Sequence, residues 1–205
     1  MFTHLPILGG CFVIFGLWLC YELKKDKRHT DQNNAEFWAR EAAANNTRRV
    51  NPDTLPYIQV PLENFPLGKY DDEDLRQQEL TLQELSQKKI LNLTGMTSTQ
   101  LKETYGPANL PLLDECDMNF TELAKTVYRY GLRLHELGKE DDAVTVLEYG
   151  ISILTDISGN YKLLASLYFS RGENEKISAL KTSGEKLNSL MKASILASLE
   201  EYGES

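Results

Sequence analysis

Three histidines, His4, His29 and His135, and three cysteines, Cys11, Cys20 and Cys116, are the side chains of this 205-residue chain best suited to metal ligation or nucleophilic chemistry. A zinc site needs such ligands in closely spaced pairs, and a thiol or hydroxyl nucleophile needs a base within hydrogen-bond reach. Here the histidines are scattered over the extreme N-terminus, a basic segment and an amphipathic stretch, while two cysteines sit in an apolar run. No zinc cluster, disulfide framework or Cys/His or Ser/His pair has support, and His135 reads as a partly exposed helix residue. Phosphate loops, dinucleotide fingerprints and Gly-x-Ser-x-Gly are absent as well. The expectation is a chain that is not an enzyme and carries no metal or cofactor.

Acidic residues cluster twice, as Asp114, Glu115 and Asp117 around Cys116 and as Glu140, Asp141 and Asp142. A calcium loop needs alternating ligands and a glycine turn, so both read as solvated charge in a loop or at a helix start. The first thirty residues carry a surplus of +2, which leaves −10 on the remainder of a chain whose formal charge is −8. Such a surface repels phosphate backbones, and no basic stripe with aromatics offsets it, so nucleic-acid binding is disfavoured.

The elements that carry these residues begin with an uncharged run, residues 5–21 (LPILGGCFVIFGLWLCY), whose length as a helix is about 25 Å, near the lower limit for crossing hydrocarbon. Lys24, Lys25, Lys27 and Arg28 follow immediately, and Trp18 and Tyr21 sit at that end, where amphipathic rings favour the interface. The sequence therefore predicts a transmembrane helix in the cell membrane, with the N-terminus outside and the C-terminal domain cytoplasmic. Leu8-Gly9-Gly10-Cys11 has the local form of a lipoprotein lipobox, but no Lys or Arg precedes it and the apolar run continues past Cys11. Cytoplasmic placement makes the glycosylation tripeptides at Asn45, Asn92 and Asn119 irrelevant.

Beyond the basic flank, residues 33–45 are rich in Ala and Glu and predict a short juxtamembrane helix. Pro52, Pro56, Pro61 and Pro66 then exclude a helix and extend the backbone. Leu55, Tyr57, Ile58, Val60, Leu62, Phe65 and Leu67 are interleaved with them, more apolar area than a solvated linker carries. This strap, residues 51–68, either docks on the domain or is itself a motif read by a partner. Acids at 71–74 start a helix whose apolar positions, Leu75, Leu82, Leu85, Ile90 and Leu93, run towards Thr94-Gly95. A short helix capped by Thr97 or Ser98 follows, and Pro111 points to irregular structure after it.

From Asn119 onward two units align without a gap at a period of 34 residues: Gly131 with Ala165, Leu134 with Tyr168, Gly138 with Gly172 and Gly150 with Gly184. Small residues let paired helices approach, glycines permit tight turns and large residues interlock neighbours. The pattern resembles the tetratricopeptide repeat (TPR) family. Gly131, Leu134, Gly138, Ala143, Leu147 and Gly150 match in the first unit; Ala165, Tyr168, Gly172 and Gly184 match in the second, where Ile177 and Lys181 replace a small and an aromatic residue. The first consensus position holds Val127 or Tyr161, and Thr155 stands where a proline is expected. The run Phe37 to Leu62 with the repeat also resembles membrane-anchored TPR-like proteins of Gram-positive bacteria, a likeness that brings no activity with it.

The expected fold is all-α: a transmembrane anchor and basic flank over 1–30, a juxtamembrane helix and strap over 31–70, and a TPR-like domain over 71–205 with repeats at about 124–157 and 158–191. Two repeats need caps, here the helices at 73–115 and a final helix bearing Leu187, Leu190, Met191, Ile195, Leu196 and Leu199. The resemblance implies a membrane-tethered adaptor that binds a protein or peptide on its concave face; the alternative is a structural subunit of a larger membrane complex with no free groove.

Overall fold

The computed structural model describes the backbone of residues 5–202, with side chains at 15, 16, 18, 19, 21–25 and from 33 onward. His4 lies outside the described residues, as do the side chains of Cys11, Cys20, Lys27, Arg28 and His29. All regular structure among the described residues is helical.

The first helix, α1 (Leu5–Asn45), is continuous, so the expected separate helix over 33–45 is its C-terminal third. No Pro or Gly interrupts residues 22–44, which leaves nothing to break the ladder after the apolar run. Among the described residues no helix is long and apolar enough to cross a membrane.

The end of α1 lies against α3 (Ser98–Tyr105). Arg40 forms a two-pronged pair with Glu103, both contacts at 2.6 Å, while Glu41 accepts from Thr99 at 2.7 Å and pairs with Lys102. Ala44 is buried in this contact zone, whereas Phe37 and Trp38 are exposed. Thr97 and Gln100 form a reciprocal capping box that starts α3. Behind it, buried Asn109 spends its amide on Val50 and Tyr105 and its carbonyl on Arg49, tying the chain after α1 to the next helix.

Asp72 caps α2 (Glu73–Leu85) through the Leu75 amide, and the helix stops well before Thr94. Ile90, Leu91 and Leu93 are buried all the same in non-helical backbone: Ile90 joins the main core and its carbonyl accepts the amide of Ile58 from the strap, while Leu91 and Leu93 pack with Leu55, Leu113 and Cys116. An apolar spacing that suits a helix here serves a segment packed on several sides. Pro111 sits in the first turn of α4 (Leu110–Glu136), where its missing donor costs nothing, so the expected irregular stretch is helical.

Three more connections build the C-terminal half: α4 to α5 (Glu140–Ser152), α5 to α6 (Ser158–Ser170), and α6 to α7 (Asn174–Glu185). The first helix of each hairpin ends at Glu136 or Ser170 and the second begins at Glu140 or Asn174, so both boundaries recur after 34 residues. Gly138 and Gly172 make the two turns at φ 72° and 70°, values that an L side chain resists. The closing helix, α8 (Lys192–Glu200), starts later than expected, and Leu190 is fully exposed, while Leu187, Ile195 and Leu199 bury against the hairpins.

Candidate functional site

The residues singled out for repeat packing fall into two places. Leu134, Ala143, Leu147, Ala165 and Tyr168 are buried within the main core, as are Gly131, Gly150 and Gly184. A Cβ added at Gly131 would meet the Leu147 side chain at 2.7 Å, so the absence of a side chain here lets Leu147 of α5 seat against α4. Gly138 and Gly172 lie instead in the exposed turns.

Two grooves flank α5. The first is bounded by α2 and α5, with α4 behind it, and the strap fills it. Phe65 is buried with its ring edge-on to Tyr149 at 5.3 Å and 6.5 Å from Tyr130. Tyr149 donates its phenol to the carbonyl of Gln59 at 3.0 Å, and Lys69 and Tyr70 both donate to Asp142 at the start of α5. Buried Glu79 accepts the Gly68 amide and the Tyr130 hydroxyl, which locks the strap to both helices. Arg133 closes the end by gripping Asp72 at 2.7 Å, a contact that holds the Asp72 carboxyl below its ordinary range. The strap is thus docked rather than left as a free motif.

The second groove, bounded by α5 and α7 with α6 behind, is open and holds about 280 Å³. Ile151, Leu164, Ala179 and Leu180 give it apolar walls, and Leu164, Tyr168 and Leu180 are buried at its base. Its rim is polar. Tyr168 donates to Glu148 at 2.6 Å, and Lys176 lies over the Tyr168 ring at 5.0 Å while pairing with Glu173 at 2.7 Å. Burial first, and then the Glu148 carboxylate, pushes the Tyr168 phenol well up, so it remains a donor. A cleft of apolar walls with a few oriented polar groups has the make-up of a small ligand-binding site.

Only Tyr168 of the sequence-predicted packing residues reaches this groove. Ile151, Leu164, Lys176, Ala179, Leu180 and Ser183 were not singled out, because each looks like an ordinary helix residue. The available signal was the 34-residue offset itself, which puts Leu164 at the place of Tyr130 and Ser183 at that of Tyr149.

A second hollow, of about 370 Å³, lies between the loop at 93–96 and α4 and includes Asp117, Lys125 and Asp156. Burial raises the Asp117 carboxyl, and its neighbours Asp114 and Asp156 push the same way. Cys116 is buried without a disulfide, and its thiol is raised by burial; His135 is half-buried with Nδ1 unpartnered. The acidic cluster at 140–142 pairs outward, Asp142 to the strap and Asp141 to Arg171. Among the described residues no cluster of His, Cys, Asp and Glu is arranged to hold a metal. No family model, curated protein or solved structure matches the chain.

Proposed function

We propose that this chain is a membrane-tethered adaptor whose TPR-like helical domain binds a protein partner. The single observation that supports this reading is the open groove between α5 and α7, apolar at its base and polar at its rim, beside an equivalent groove that the chain fills itself. A structural subunit locked into a larger complex would offer a broad apolar face and no vacant groove. The tether rests on the uncharged run 5–21 and on Lys24, Lys25, Lys27 and Arg28 after it, which retain the domain on the cytoplasmic side of the cell membrane. Tethering confines the partner to the membrane surface and raises its effective concentration there.

Two experiments test the proposal. A reporter fused after Ser205 is expected to be active only in the cytoplasm; activity of an export-dependent reporter at that position overturns the topology. A photo-crosslinking amino acid at Ala179 in the full chain, in its own membrane, is expected to yield a discrete protein adduct that one at exposed Leu80 does not. Absence of any protein adduct at Ala179 overturns the adaptor reading.

A further inference from the structure

The strap is a bound ligand that the chain supplies to itself, and the repeat copies its binding site. Its anchor Phe65 lies against Tyr130 and Tyr149, and four residues on Lys69 reaches Asp142 at 2.7 Å. Adding the 34-residue period to these three receptor positions gives Leu164, Ser183 and Lys176, and all three line the open groove. The two grooves are therefore equivalent stations on successive hairpins, one occupied and one vacant.

The differences between them specify the missing occupant. Tyr130 and Tyr149 become Leu164 and Ser183, which clears room at the place of the two rings that hold Phe65, while Tyr168 stands where the first unit has Leu134. The charge at the groove end inverts: Asp142, with Lys139 close enough to lower its pKa, is replaced by Lys176 with Glu173 paired to it. The Lys176 ammonium lies 2.7 Å from Glu173 and 3.8 Å from Glu148, so an acid on the ligand has to share it with these carboxylates or displace one of them. The Lys176 side chain is half exposed, so its ammonium can turn from these carboxylates to an acid on a ligand.

We infer that the groove between α5 and α7 takes an extended, proline-spaced peptide of a partner protein, with an aromatic anchor and an acidic residue four positions after it. This rests on the adaptor reading and adds the chemistry of the partner. Extended proline-spaced backbone suits such a site because it is already restricted and loses little entropy on docking.

The test uses the full chain in detergent micelles and labelled synthetic peptides with the sequence of residues 56–70, read by fluorescence polarisation. Three forms are compared: unaltered, Lys69→Glu, and Lys69→Glu with Phe65→Ala. The Lys69→Glu peptide is expected to bind about tenfold more tightly than either other form, as one buried aromatic anchor and one well-placed charge each imply. Ala179→Trp, at an exposed position on the groove wall, is expected to abolish binding without unfolding the chain. Lys176→Glu is expected to turn the preference towards the unaltered peptide. Binding by none of the peptides, or binding that ignores both Ala179→Trp and Lys176→Glu, overturns the inference. If a protein still crosslinks at Ala179 in that case, the ligand chemistry is wrong and the adaptor reading stands; if nothing crosslinks, both fall.

Discussion

The phenol of Tyr130 in α4 donates at 3.0 Å to the buried carboxylate of Glu79 in α2, which also accepts the Gly68 amide of the strap at 3.1 Å. One acid thus joins three segments that are distant in sequence. Burial, and next the carboxylate itself, holds the Tyr130 phenol far above its ordinary range, so the donor is permanent. Tyr130→Phe removes one of the acid's two partners and is expected to cost about 1.5–3 kcal/mol, the range for hydrogen bonds to charged groups. Urea unfolding of the full chain measures it, and an unchanged midpoint would show that the carboxylate finds another donor.

Ala143 is fully buried where α5 meets α4. Enlarging it to Leu is expected to overpack the pair by about 1–3 kcal/mol, seen as a lower melting temperature. A melting temperature equal to that of the parent chain would place Ala143 outside the helix contact.

The strap should behave as part of the core. The Ile58 amide is bonded to the Ile90 carbonyl at 2.9 Å, and Phe65 is buried. Ile58 is expected to exchange its amide proton slowly beside faster exchange at exposed Gln59. Phe65→Ala is expected to speed Ile58 and to cost about 3–5 kcal/mol, as for other buried aromatic truncations. Exchange at Ile58 as fast as in an unfolded peptide would sink the docked strap.

The docking of α1 on α3 should weaken in acid. Hydrogen bonds from Lys102 and Arg40 hold the Glu41 and Glu103 carboxyls below the ordinary value of 4.5. A carboxyl whose folded pKa is lowered contributes stability above its unfolded pKa and loses it as pH falls through the folded one. With the native cysteines replaced, the distance between spin labels at Ala35 and Thr104 is expected to stay narrow above about pH 5 and to broaden below about pH 4. In Glu103→Gln the distribution should already be broader at neutral pH and change less on acidification. A distance distribution that is constant down to pH 2.5 would show that these pairs do not hold the helix.

Local structure was the legible part. Helix caps and turns depend on neighbours within a few residues, so Asp72, Thr97, Gly138 and Gly172 announce themselves in the sequence. The 34-residue recurrence of small and large residues is equally local, and the helix boundaries at Glu140 and Asn174 repeat with it. Boundaries failed where tertiary contacts override spacing: Ile90 and Leu93 keep helical intervals but bury in non-helical backbone, one of them paired to the strap.

What the sequence determined by itself was therefore a set of helices, two hairpins of one period, an extended apolar strap and a basic-flanked apolar run. Only the tertiary structure decided that the strap lies against α5 and not in solvent, that α3 receives the end of α1, and that one of two equivalent grooves stays open. The reason is that these outcomes depend on partners 51–90 residues apart, as in Tyr130 with Glu79, Arg40 with Glu103 and Tyr149 with Gln59. Contacts at that separation leave no periodic trace, because their free energy comes from shape and charge matched between surfaces that exist only after the helices have formed.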